Sequence, residues 1–141
     1  MKRALVVGGG VFPVESALGA LASAGFEAVV AETLAELRSQ VEAGTVAAVV
    51  GYSGSAGNAA DAERTAAIAE LPPVLRRSLV IALVGPGLAT RDGVRAFLLG
   101  VELLVASPDL PRLGELLGTA LAAKRALVVP LDPAAATRLG G

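Results

Sequence analysis

Three consecutive glycines, Gly8-Gly9-Gly10, follow the short apolar run Ala4–Val7. Unhindered main-chain amides between a strand and a helix can bind an anion without any side chain. Glu32, closing the next strand-like run, stands where a dinucleotide-binding unit places its ribose-binding acid. Gly8, Gly9, Gly10 and Glu32 thus outline a small nucleotide or anion site. The pattern is incomplete, because G-x-G-x-x-G from Gly8 would need glycine where Pro13 stands, and no G-x-x-x-x-G-K-[ST] occurs. A second constellation, Gly51-Tyr52-Ser53-Gly54-Ser55, nearly spells the G-x-S-x-G nucleophile elbow but lacks its last glycine. A serine nucleophile needs an adjacent base, and the chain has no histidine. Ser53 to Asn58 then reads as a polar loop, with Tyr52 a partly exposed aromatic of no assigned role.

Composition narrows the chemistry further. A chain of 141 residues is one ordinary domain, and 54% hydrophobic content with only 3% aromatics predicts an aliphatic core and few stacking platforms. A net charge of -1, with both signs dispersed, gives no electrostatic footprint for nucleic acid or an anionic membrane. Without Cys or His there is no disulfide, no thiolate zinc site and no imidazole base. No cofactor and no enzymatic activity are expected, and the composition suits a cytoplasmic, bacterial-type protein. Met1-Lys2-Arg3 and Ala22-Ser23-Ala24 resemble the ends of a secretory signal, but the three glycines and Pro13 would break its helical centre.

Any of these sites would have to be positioned by alternating elements. Apolar runs at Ala4–Val7, Ala28–Ala31, Val46–Val50, Leu79–Val84 and Glu102–Ala106 read as strands. They are apolar throughout rather than alternating, as strands covered on both faces must be. Between them, helical spacing relates Val14, Leu18 and Leu21, then Leu34, Leu37 and Val41, then Val94, Phe97 and Leu98, then Leu110, Leu113, Leu117 and Leu121, each stripe facing a sheet. Thr33 and Glu36 form a capping box, Gly25, Gly44 and Gly100 supply helix stops, and Pro111 suits a first turn. Asp61–Glu70 reads as a further helix, stopped by Pro72-Pro73, with Val74–Ser78 a connecting turn. The simplest architecture is α/β: a three-layer, doubly wound, five-stranded parallel sheet of order 2-1-3-4-5, flavodoxin-like, with ligand loops at the carboxyl ends of the strands.

Over residues 2 to 125 the chain resembles the receiver domains of two-component response regulators. Ala4-Leu5-Val6-Val7 is similar to their first strand, Gly25-Phe26-Glu27-Ala28-Val29 to the turn into their second, Val46–Val50 to their third, and Gly100 to Pro108 to their closing segment. The resemblance implies a metal-assisted phosphorylation site, and the departures fall on it. The acidic pair falls on Gly8 and Gly9, the phosphoacceptor on Gly51, the hydroxyl residue near Val84 or Gly85, the lysine on Ser107 and the aromatic switch on Leu104. Magnesium is held in such sites by carboxylates and water, so the chemistry should be gone and the scaffold retained. Residues 1–125 then form a degenerate receiver-like domain, a pseudo-receiver that acts through another protein or as a homodimer.

The resemblance points to the family's partner face, built from the helix at Val94–Leu98, the strand at Glu102–Ala106 and the helix that follows. Leu99, Leu103 and Leu116 remain for that face once the core stripes are assigned. Gly114 and Gly118, four apart, offer a close approach to another helix. Residues 126–141 are expected to be a C-terminal extension, with Ala126–Leu131 an edge strand or docking strip and Asp132–Gly141 partly disordered.

Overall fold

The computed structural model describes residues 2–8, 12–54 and 59–140. Among them the order is β1 (Arg3–Val7), α1 (Val14–Ser23), β2 (Glu27–Ala31), α2 (Leu34–Glu42), β3 (Ala48–Tyr52), α3 (Ala59–Ala69), the one-turn α4 (Pro73–Arg76), β4 (Val80–Gly85), α5 (Gly93–Leu99), β5 (Leu103–Ala106), a 3-10 helix η1 (Ser107–Arg112), α6 (Leu113–Val128) and α7 (Pro133–Gly140). All strand pairs are parallel, and the order is β2-β1-β3-β4-β5, the expected winding.

Alternation along each strand divides the core into two layers. Ala4, Val6, Ala48, Val50, Val80, Ala82, Val84, Leu103 and Val105 pack with residues of α1, α6 and α7. Leu5, Val7, Val49, Ile81, Leu83 and Leu104 pack with residues of α2, α3 and α5. Both faces are covered, which is why the strand sequences carry no polar alternation.

The helix boundaries follow local chemistry. The Thr33 hydroxyl accepts from the Glu36 amide at 3.1 Å, while the Glu36 carboxylate reaches back to the Glu32 amide at 3.0 Å, closing the predicted cap. Gly25, Gly44 and Gly100 have φ of 87°, 75° and 74°, as the helix stops require. Gly114 serves a close approach within the chain. A Cβ there would stand 2.3 Å from the Ala24 Cβ and 2.8 Å from the Ala20 carbonyl, so α6 crosses α1 over bare backbone. Gly118 faces open space instead.

At the amino-terminal edge of β4 and β5 a polar knot replaces hydrophobic packing. The Lys124 ammonium donates to the Arg76 and Leu79 carbonyls at 2.6 Å each and to Glu102 at 2.8 Å. Glu102 accepts from the Ile81 amide at 2.8 Å, and the Arg76 guanidinium lies 3.6 Å from it while donating to the Ala69 and Gly100 carbonyls. This knot ties α6 to α4 and to the strand starts, and Val74–Ser78 contributes a helical turn to it rather than an open connection.

Three expectations need correction. The Val94, Phe97 and Leu98 stripe faces solvent, at 75%, 83% and 76% exposure, because α5 lies on the sheet through Ala96 and Leu99. Conversely, Leu103 and Leu116 are buried and Leu99 is half-buried against the core, so these three are not an exposed face. The segment from Ala126 on is neither strand nor loose: α6 runs to Val128, and after a tight bend α7 folds back on it. Asp132 caps α7, its carboxylate accepting from the Ala135 amide at 3.2 Å, and Pro133 takes the first turn. Ala135 and Ala136 are buried, and the fully buried Leu139 joins the core layer that holds Phe26, Ala47 and Leu121.

Leu139→Ala is accordingly expected to cost about 2–4 kcal/mol in urea denaturation, as a buried leucine does and a residue in a loose tail does not.

Candidate functional site

In a sheet of this winding the crevice for ligands lies outside the carboxyl ends of the strands, where β1 and β3 diverge in connection. Gly8 follows β1 there, Gly51 and Tyr52 end β3, Gly85 ends β4, and Ser107 opens η1 after β5. The structure therefore gathers Gly8, Gly51, Val84, Gly85 and Ser107 at one edge, in the register Gly51 to Leu83, Tyr52 to Val84 and Gly85 to Ala106. Gly9 and Gly10 of the glycine run, and Ser55 to Asn58 of the polar loop, lie outside the described residues.

Among the described residues this edge is closely packed at Gly51 and Gly85. Hydrogen bonding between β3 and β4 continues one residue past Tyr52, with the Ser53 amide donating to the Val84 carbonyl at 2.8 Å. Ser53 is thereby drawn over β4, and a Cβ on Gly85 would stand 2.1 Å from its carbonyl oxygen. No side chain fits at Gly85 while the loop holds this path. A Cβ on Gly51 would meet the Ile68 side chain at 2.8 Å and Leu83 at 3.1 Å. Tyr52 is no idle loop aromatic, for it stacks on the buried Phe12 with ring centroids 5.2 Å apart and planes 12° from parallel. The pair covers the ends of β1 and β3 with apolar surface.

The hydroxyl at this edge comes from a residue the sequence reading passed over. Thr90, in the loop from β4 to α5, accepts from the Ala106 amide at 2.9 Å and donates to the Asp109 carboxylate in η1. Val84, nearest to the family's hydroxyl position, is a buried core residue. Leu104, at the switch position, is fully buried in the α2, α3 and α5 layer. Lys124 is spent in the knot at the opposite edge of the sheet.

Of the glycine cradle, Gly8 and Glu32 are described. The Gly8 amide donates to the Ala31 carbonyl at 2.9 Å, extending the pairing of β1 with β2, and is not free for an anion. Glu32 is exposed one residue beyond β2. A magnesium ion of the kind the receiver resemblance implies needs carboxylate ligands. Gly8, Gly9 and Gly51 supply none, Asp109 is engaged by Thr90, and among the described residues no three acidic side chains converge. The residues present do not fit that ion.

No protein-family model matches the sequence, and no curated protein does. Solved structures do match in fold. A response regulator from Thermotoga maritima superposes with a TM-score of 0.66 at 14% identity, covering 86% of this chain and 98% of that one. A putative pilus assembly-related protein from Burkholderia pseudomallei K96243 gives 0.65 at 20%, covering 88% and 91%. A CheY-like protein, TadZ, from Pseudomonas aeruginosa PAO1 gives 0.63 at 18%, covering 85% and 99%. At these identities the likeness establishes the fold, which is receiver-like.

The seat of the Ser53 carbonyl can be tested with paired substitutions. Gly85→Ala is expected to lower stability by about 2 kcal/mol or more through overpacking. Gly87→Ala, with nothing within 4 Å of the new methyl group, should stay within about 0.5 kcal/mol of the original protein. Equal denaturant midpoints for the two variants would mean that the carbonyl is not seated on Gly85.

Proposed function

We propose that this chain is a phosphorylation-independent pseudo-receiver, a non-enzymatic cytoplasmic signalling module of bacterial two-component type that works by contact with another protein. The observation that carries the reading is the Ser53 carbonyl on Gly85, at an edge where Gly8 and Gly51 replace carboxylates. Phosphoryl transfer in this fold needs a metal and an oxygen nucleophile; Gly8, Gly9 and Gly51 offer no carboxylate, and a Cβ at Gly51 or Gly85 would clash.

The partner surface in this reading is the outer side of α5. Val94, Phe97 and Leu98 leave three large apolar side chains in water on a helix of seven residues. Burying all three would be worth about 5 kcal/mol, enough to reward a partner for covering them. Beside them a groove of about 190 Å³ runs over β5 between α5 and α6, with Leu103 and Leu116 among its lining residues. In this reading the exposed members of the face are Val94, Phe97 and Leu98, while Leu99, Leu103 and Leu116 belong to the packed side. A second copy of the chain is the first partner to test.

Incubation with acetyl phosphate and Mg2+ should leave the intact mass unchanged, both for the original protein and for Gly51→Asp. A stable acyl phosphate on the original protein contradicts the reading. Millimolar ATP, NAD or phosphate should leave the melting temperature in place, since a ligand well above its dissociation constant must raise it. Phe97→Asp and Leu98→Asp should weaken association in sedimentation velocity by about tenfold or more while preserving the fold. Association indifferent to both substitutions removes this face.

A further inference from the structure

Three consecutive residues peg the start of α5, and each does so by a different bond. Thr90 holds the Ala106 amide at the end of β5 and the Asp109 carboxylate in η1 with one hydroxyl. The Arg91 amide donates to the Leu104 carbonyl at 3.0 Å, and Arg91 has φ of 64°, the one positive value at a non-glycine among the described residues. Such a conformation persists in an arginine only where its surroundings impose it. The Asp92 carboxylate accepts from the Arg95 amide at 3.1 Å and caps the helix itself.

The helix these bonds anchor has a small apolar footing. Its seven residues bury Ala96 and, in part, Leu99, and it stops at Gly100, whose carbonyl accepts from Arg76. Its start is set by the bonds of Thr90, Arg91 and Asp92, and of these only Thr90 reaches η1, through Asp109.

From this geometry we infer that Thr90 and Asp109 form a permanent clasp, a positioning device that fixes α5 against β5 and presents its outer face without any ligand or covalent signal. The inference rests on the pseudo-receiver reading for its purpose but not for its existence. Both clasp residues lie at the carboxyl edge of the sheet: Thr90 in the loop that leaves β4, Asp109 in the turn that leaves β5. The bond between them joins the two segments directly. Removing the hydroxyl frees the Ala106 amide and the entry to α5 together, while the β1, β3 and β4 core is untouched.

Amide hydrogen exchange reads the clasp directly. Thr90→Val, which keeps the branched shape and removes the hydroxyl, is expected to speed exchange at Ala106 and Arg91 by about tenfold. The core amides of Leu5, Val49 and Ile81 should not change. Asp109→Ala should speed exchange at Arg91 and along α5, and Thr90→Ser should restore the original rates. Unchanged exchange at Ala106 in Thr90→Val, or an increase shared equally by the core amides, overturns the clasp. In the original protein, Mg2+ with beryllium fluoride should leave exchange over residues 86–106 as it was, and a change there overturns permanence. Covalent phosphate detected by mass would sink the pseudo-receiver reading by itself, because the Thr90→Val comparison is made without ligand.

Discussion

One atom's position organises the functional edge of this molecule: the Ser53 carbonyl oxygen, lying where a side chain on Gly85 would have to be. It gets there because β3 and β4 keep hydrogen bonding beyond Tyr52, which draws Ser53 over Gly85. A ligand pocket needs both space and polar groups left unsatisfied for the ligand. The extended ladder takes the space at Gly85 and satisfies the Ser53 amide, while the Phe12 and Tyr52 rings stack beside it. A cluster of carboxylates at the same place would repel itself by about 4 kcal/mol per close pair at an effective dielectric near 20. Glycines, an aromatic stack and a continued ladder incur no such penalty, so the edge supports the fold by itself.

Beside that edge, described polar side chains meet in the loop between β4 and α5. There the Thr90 hydroxyl and the Asp109 carboxylate satisfy one another, and the Ala106 amide completes the set. At the other edge Lys124, Glu102 and Arg76 do the same for the strand starts and the end of α3. In both knots partly buried side chains bond to one another and to main-chain atoms, which fixes helix positions more sharply than aliphatic packing does. Aliphatic side chains slide over one another, whereas a hydroxyl bridging an amide and a carboxylate has one geometry.

The sheet order and the five strands were legible in the sequence, because apolar runs between helix-period segments leave few windings open. Gly8, Gly51 and Ser107 were also placed correctly at the carboxyl edge, since strand ends alone decide that. The α5 stripe was not legible. Val94, Phe97, Leu98 and Leu99 surround the helix with apolar residues, and choosing the largest as the buried ones fails where a short helix lies close to a sheet and the small Ala96 makes the contact. Thr90 and Asp109 were invisible because nineteen positions separate them and neither belongs to a motif. The C-terminal helix did carry a signal, Asp132 followed by Pro133 with Leu139 on the same face as Ala135 and Ala136. Its Ala and Gly content obscured that signal, although small residues are what a helix needs to pack tightly on α6.

With α7 in place, two groups of large apolar side chains stand out in water among the described residues, apart from the single Val74 on α4 at 66% exposure. One is the outer side of α5; the other is the bend between α6 and α7, where Leu127 and Leu131 are 74% and 86% exposed. They differ in how they are held. The bend is a helix hairpin fixed by the Arg125 and Val128 carbonyls, so its exposed leucines follow from the local turn. The α5 face is carried by a short helix whose orientation is transmitted from the strand ends through Thr90, Arg91 and Asp92. Only the second is mechanically connected to the edge where a receiver-like fold would place its chemistry. A fixed bond between the two loops, Thr90 to Asp109, makes that connection within the chain itself.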